Sequence, residues 1–375
     1  MSFKEQSMQK EFIFVGTYTQ PILFGTGDIL QGKGEGVYVL ELDCATGALH
    51  FVCKTTDIAN PSYLAFSPDG RFLYAVNELK RWQGGEGGTV SAFRIVPETK
   101  KLQFLGSRPT LGTDPCHVVV NAKNTHVFVS NFMSGSVTVF PIMKDGSLGE
   151  KTDFRQHEGS SVHPTRQKGP HAHSLTFDPA QKYAFVPDLG LDKVLSYLFD
   201  DKTGRLLPAP VPYFETAPGS GPRHCEFHPS GKFCYLINEI ASSISLLVYD
   251  SEAGSFEKMQ TVSTIPSGYA GENICADLHI TPDGLFLYGS NRGHNSLAGY
   301  RIHQQDGTLT PLSMIGCGGK TPRNFAVSKN GRILIVANQD SDNLVTFQID
   351  TESGALTKLC ETALPTPVCV KSILL

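Results

Sequence analysis

Several things are scarce in this chain of 375 residues, and each scarcity removes a class of protein. Positive charge is not in excess: 32 Lys and Arg stand against 36 Asp and Glu, a formal net charge of −4. A protein built to hold nucleic acid carries a basic surplus for the phosphates, so no nucleic-acid partner is expected. No stretch approaches the ~18 consecutive apolar residues of a spanning helix, so no membrane partner is expected either. The opening MSFKEQSMQKEF is polar and lacks the apolar core of a secretory signal. The nine cysteines form no C-x-x-C pair, which removes zinc ribbons and dithiol redox motifs. Most lie in apolar runs such as KFCYLIN around Cys234, the setting of buried, reduced thiols, and the expected location is the cytoplasm. Segments with a helical period are essentially absent.

What is present is a repeat. A length prior of about 150 residues per domain would cut the chain into two or three. One unit instead recurs along the chain: a strand, a turn, and a second strand ending in Asn or Asp. It reads NPSYLAFSPDGRFLYAVN from Asn60 and DPCHVVVNAKNTHVFVSN from Asp114. It returns as AHSLTFDPAQKYAFVPD from Ala172, GPRHCEFHPSGKFCYLIN from Gly221, ADLHITPDGLFLYGSN from Ala276 and TPRNFAVSKNGRILIVAN from Thr321. A second landmark, a polar turn before an apolar anchor, occurs at Leu49, Leu102, Leu148, Leu206, Phe256, Leu309 and Leu356. The spacing averages about 51 residues, which suits a four-stranded propeller blade. The outer landmark occurs seven times and the inner one six. FIFVGTY (Phe12 to Tyr18) and PVCVKSI (Pro367 to Ile373) supply the missing inner pair from the two ends. The expectation is all-β: one seven-bladed β-propeller of four-stranded antiparallel blades over 1–375. Its N- and C-terminal strands share one blade and close the ring, with 1–11 as a loose tail.

Antiparallel geometry places the start of the first strand and the end of the second at the same rim of the central channel. Three insertions attach there: Thr19 to Glu35, Leu79 to Thr89, and Asp153 to Gly169. Insertions gathered on one face mark a binding face. Superposing the repeats aligns Ser62, Cys116, His173, Arg223, Ala276 and Arg323 at the opening of strand one. One residue on stand Tyr63, His117, Ser174, His224, Asp277 and Asn324. After the recurrent Asn or Asp stand Glu78, Phe132, Leu189, Glu239, Arg292 and Gln339. A position serving only the fold holds one residue type, as the recurrent Asn does. The rim positions vary between charged and apolar, as a site does.

Arg offers a forked donor to a carboxylate, a phosphate or a developing oxyanion. His exchanges a proton near neutrality, and Glu orients either or acts as the base. The structural alternative is that Arg223 and Glu239 are only an ion pair between strands. His171 and His173 sit two apart, the spacing of a shared strand face. His117, His224, His279 or Asp277 are further ligand types for a metal there. The neighbouring arginines would repel a cation, so no metal is expected. No G-x-S-x-G elbow is present, and GGEGG (Gly84 to Gly88) lacks the strand–helix setting of a phosphate loop.

These motifs together resemble a known family. FVGTYT at Phe14, NPSYLAFSPDGRFLYAVNE, RQKGPHAHS, GSGPRHCEFHPSGKFCYLINE, LYGSNRGHNS and TPRNFAVSKNGR carry the likeness, over nearly the whole chain. The chain is similar to the seven-bladed propeller lactonases: propeller-type 6-phosphogluconolactonases and fungal carboxy-cis,cis-muconate cyclases. The resemblance implies a cofactor-free activity on a small anionic lactone, 6-phosphoglucono-1,5-lactone first among the substrates. It implies a catalytic set of His173 (with His171 beside it), Arg223, Glu239 and Arg292. His173 or Glu239 would activate water, with the arginines on the oxyanion. His171, His117, His224, Asp277, Arg323 and Arg166 are the expected substrate contacts, of which Arg166 and Arg323, together with Lys168, are lower-grade contacts to the phosphate. Lactone formation or opening on a carboxylated muconate is the second reading, and a non-catalytic binding scaffold the third.

Overall fold

Why the second strand of each blade is apolar throughout becomes clear from its surroundings. The structure, a computed structural model, describes residues 10–24 and 27–375. Phe72–Asn77, Phe233–Asn238 and Ile333–Asn338 are buried at every position. Each is sandwiched between neighbouring sheets, so neither face needs to be polar. The outer strands, such as Leu102–Pro109, bury chiefly their first residue, the anchor that marks the repeat. Among the described residues the strands form seven four-stranded antiparallel sheets and two short hairpins.

We number the blades from the first complete repeat. The innermost strands of blades 1 to 6 are Tyr63–Phe66, Pro115–Val120, Thr176–Phe177, Pro222–Phe227, Ile274–Ile280 and Pro322–Val327. Blade 7 is the composite one. Its innermost strand is Pro367–Leu374, and Glu11–Thr17 pairs with that strand on one side and with Val37–Leu42 on the other. The N-terminal strand therefore closes the ring. The expected loose tail ends earlier than residue 11. Glu11 opens the strand, is buried, and accepts a hydrogen bond from the Lys329 backbone N–H at 2.8 Å. Residues 1–9 of that tail lie outside the described residues.

The recurrent Asn has the structural role its uniformity suggested. Asn77 donates to the Ala59 carbonyl at 2.7 Å and accepts from the Thr89 and Ser91 hydroxyls. Asn238 makes the equivalent tie in the opposite sense, donating through Nδ2 to the Ser243 and Ser245 hydroxyls. The side chain ties the end of strand two to the third strand, where an unbonded buried amide would be costly.

Two local devices build the rim. First, the backbone N–H after the recurrent Asn donates to the carbonyl of a residue just ahead of strand one. Glu78 donates to Asn60, Phe132 to Asp114, Glu239 to Gly221, Gln339 to Thr321, and Tyr18 to Thr366. These acceptors have positive φ, from 38° at Asn60 to 63° at Gly221. At Gly221 an added Cβ would also meet the Ile240 side chain at 2.6 Å, so this position requires glycine. Second, strand one carries a bulge. Pairing skips a residue between Pro115 and His117, between Pro222 and His224, and between Pro322 and Asn324. The extra residues are Cys116, Arg223 and Arg323. A bulge re-aims a side chain, so two consecutive residues can turn toward the channel.

Candidate active site

The cavity at this rim holds about 820 Å³. Two of the three expected insertions reach it. Leu23, Phe24 and Ile29 come from the first, and His163, Thr165 and Arg166 from the third. The insertion Leu79–Thr89 does not line it. Arg81–Trp82 and Gly85–Glu86 instead pair as a short hairpin, with Trp82 away from the cavity. The third insertion proper begins after Gln156, because Asp153–Gln156 is the outer strand of blade 2. The segment Glu272–Ile274, ahead of and into strand one of blade 5, contributes lining that the sequence reading passed over.

Glu239 is the centre of the site. Its carboxylate is buried and accepts from three guanidiniums: Arg223 Nε at 3.0 Å, Arg292 Nη2 at 2.7 Å and Arg166 Nη2 at 2.5 Å. Burial pushes the Glu239 carboxyl up. Arg292, Arg166 and Arg223 outweigh that and hold it far below the usual carboxylate range. Arg292, which lines the cavity, also donates through Nη2 to the Cys275 carbonyl at 2.6 Å. Burial brings the Arg292 guanidinium down to about 10 against the pull of Glu239, so it stays charged at neutral pH.

His173 lines the cavity beside this cluster, with Nε2 3.9 Å from Glu239 Oε2 and Nδ1 3.7 Å from Cys116 Sγ. Burial, then the charge of Arg223, lowers its pKa well below the ordinary value, so its ring is neutral at pH 7. His171 does not line the cavity. Its ring stacks on Phe132 at 4.7 Å and its Nδ1 meets the Phe132 carbonyl at 3.0 Å. Lys168 is exposed and lies outside the cavity lining.

Arg223, His224, His117 and Asp277 are buried and do not line this cavity; Arg223 and His224 line a small void beside it, which shares Glu78, Cys116 and Arg323 with the cavity wall. Arg223, His224 and Asp277 form a buried polar chain. Arg223 Nη1 donates to His224 Nε2 at 3.2 Å, so the His224 proton sits on Nδ1 and is donated to Asp277 Oδ1 at 2.8 Å. Asp277 Oδ2 meets His279 Nε2 at 3.1 Å, and His279 Nδ1 meets Glu226 at 2.8 Å. Burial would lower the His279 pKa, but the carboxylates of Asp277 and Glu226 push it up to about 10. His224, buried beside Arg223, is brought down to about 4. His117 packs on Tyr63 at 4.4 Å and on His224 at 5.6 Å.

Arg323 is placed differently from the other arginines. It lines the cavity from blade 6, its guanidinium packs over the Tyr18 and Phe24 rings at 5.6 and 5.4 Å, and its nearest carboxylate is Glu78 at 4.0 Å. Among the described residues it has no hydrogen-bonded partner. Glu78 and Tyr18 occupy the same rim slot as Glu239, on blades 1 and 7; the repeat superposition contained Glu78 but not Tyr18.

The fold and site together define a propeller with a cationic cavity that one carboxylate organises. Residues 12–372 match the family described as "Lactonase, 7-bladed beta-propeller", and the chain belongs to that family. It is 36% identical to a 6-phosphogluconolactonase of Bacillus subtilis, over 97% of this chain and 99% of that protein. It is also 34% identical to an uncharacterized protein of Lactococcus lactis, over 93% of this chain and 95% of that one. Among solved structures it is similar to the periplasmic gluconolactonase PpgL of Pseudomonas aeruginosa. That pair is 34% identical with a TM-score of 0.88, covering 97% of this chain and 99% of the other.

Proposed function

We propose that the protein hydrolyses a small sugar-acid lactone, with 6-phosphoglucono-1,5-lactone as its substrate. One observation carries the choice of an anionic substrate. Of four guanidiniums gathered here, three are committed to Glu239 and one, Arg323, lines the cavity without a hydrogen-bonded partner among the described residues. A phosphate accepts such a forked donor well.

The roles follow from protonation and reach. The Glu239 carboxylate is occupied by hydrogen bonds from three guanidiniums, so it positions the arginines rather than taking a proton from water. Neutral His173 takes a proton from water through Nε2. The Arg292 guanidinium, at the cavity wall, stabilises the oxyanion that forms when water adds to the lactone carbonyl. Arg223, outside the cavity lining, is a positioning residue held between Glu239 and His224. The test is acid release on adding the lactone to purified protein with EDTA present. A rate no faster than the spontaneous one, on both 6-phosphogluconolactone and unphosphorylated gluconolactone, would sink the proposal.

A further inference from the structure

Opposite the Glu239 cluster, blades 6, 7 and 1 bring Arg323, Tyr18 and Glu78 together at the cavity wall. Glu78 is buried, with its side chain only 6% exposed, yet it lines the cavity. Its carboxylate accepts from the Tyr18 hydroxyl at Oε2, 3.0 Å away, and the Ser62 hydroxyl lies beside it. Arg323 stands 4.0 Å from Oε1, too far for a hydrogen bond. Around Glu78 the titratable groups are Tyr18, Arg323, Asp114 and Cys116. Asp114 is itself tied to Lys80 at 2.6 Å. Glu239 and Glu78 thus hold equivalent slots on different blades, one saturated with cations and the other nearly without.

We infer that Glu78 is the general acid of this site, and that an anion bound at Arg323 loads it with its proton. The inference rests on the lactonase reading. Hydrolysis needs two proton movements, and His173 accounts for one. Water adds its oxygen to the carbonyl carbon while one of its protons passes to His173 Nε2. The bond from that carbon to the ring oxygen then breaks, and the ring oxygen takes the proton of the Glu78 carboxyl. The new acid group and His173 give their protons to solvent, and Glu78 regains one. The balance is lactone plus water to hydroxycarboxylate plus one proton.

Burial raises the proton affinity of Glu78, and Arg323 is the nearest charge that lowers it. A substrate phosphate that draws the Arg323 charge onto itself removes that counterweight. The carboxyl is then protonated as the substrate settles, and two groups with opposed proton affinities share one cavity.

Two measurements test this. The first is steady-state kinetics of wild type, Glu78→Gln and Glu78→Asp on 6-phosphogluconolactone across pH. Glu78→Gln should lose about 10²-fold or more in kcat with KM within about threefold, and should lose the fall of kcat at high pH. Glu78→Asp should retain part of the activity. A Glu78→Gln kcat within about threefold of wild type, or an unchanged alkaline limb, overturns the acid role. The second is calorimetry of sulfate binding, in buffers of different ionisation enthalpy, for wild type and Glu78→Gln. Sulfate does not titrate near neutrality, so proton uptake reports the protein. Uptake in wild type and none in Glu78→Gln is expected. No sulfate binding, or equal uptake in both, overturns the coupling. If wild type hydrolyses no lactone, the functional reading fails, and the sulfate experiment still decides whether Glu78 is loaded.

Discussion

Replacing Glu239 by Gln tests the central claim that one carboxylate holds three arginines in place. The change keeps the shape and removes the charge. Arg166, Arg223 and Arg292 then remain packed together with no anion between them, and their side chains are 12%, 4% and 11% exposed. Water screens them little, so mutual repulsion is poorly relieved. Removing one partner of a buried ion pair costs about 3–5 kcal/mol. Unfolding entropy of about 2.1 cal/mol/K per residue gives roughly 0.8 kcal/mol/K for a chain of this length. The expected fall in Tm at pH 7 is therefore about 4–6 °C by calorimetry. The pH dependence has a definite sign. The folded pKa of Glu239 lies below the unfolded value of about 4.3, so its contribution is complete above that pH. It is lost as pH falls through the folded value, and the Tm gap between wild type and variant should narrow only under acid conditions. Sulfate should raise the Tm of Glu239→Gln more than that of wild type, because the vacated arginines form an anion site. A Tm within 1 °C of wild type at neutral pH, with no added response to sulfate, would refute the reasoning.

Three further outcomes are expected. Arg323→Ala should raise KM for the phosphorylated lactone by about 10–100-fold, the worth of a charged hydrogen bond. KM for unphosphorylated gluconolactone should move far less, and an equal rise for both would remove Arg323 from phosphate recognition. His279, with a pKa of about 10 against an ordinary 6.5, contributes stability that is complete below pH ~6.5 and lost as pH rises through its folded value. His279→Gln should thus be destabilised at pH 7 but converge with wild type above pH ~10 in a Tm series. Among the thiols, exposed Cys44 should react first with an aromatic disulfide reagent and half-buried Cys360 second. The other seven should react only on unfolding, as mass spectrometry of partly labelled protein would reveal.

Much of the fold was legible because a propeller writes its period into the chain. The recurrent Asn, the SPDG-type turns and the outer anchors lie at fixed offsets, and each marks a backbone requirement repeated in every blade. The terminal strands were legible for the same reason, since Phe12 to Tyr18 and Pro367 to Ile373 each lacked the other. The boundary of the tail was not, because the contact that orders Glu11 comes from Lys329, over three hundred residues away. The rim slots were legible as variable positions in an otherwise uniform repeat, and His173, Arg223, Glu239 and Arg292 came from that comparison. Tyr18 was missed because its blade is split between the ends of the chain. Glu78 stood in the right slot and was passed over because a residue type does not reveal how many cations surround it.

Composition, period and slot variation are properties of order along the chain, so sequence by itself determined seven blades, one ring and a charged rim. Partnership is a property of distance across the ring. Only the tertiary structure decided that Arg166, from a loop, reaches Glu239 while Arg323 does not. Only it took Arg223 and His224 out of the cavity wall, on a strand whose bulge a one-dimensional alignment reads as ordinary strand. The formal charge of −4 likewise says nothing of the cavity, because four guanidiniums brought close together set a local field that the sum over the whole chain averages away.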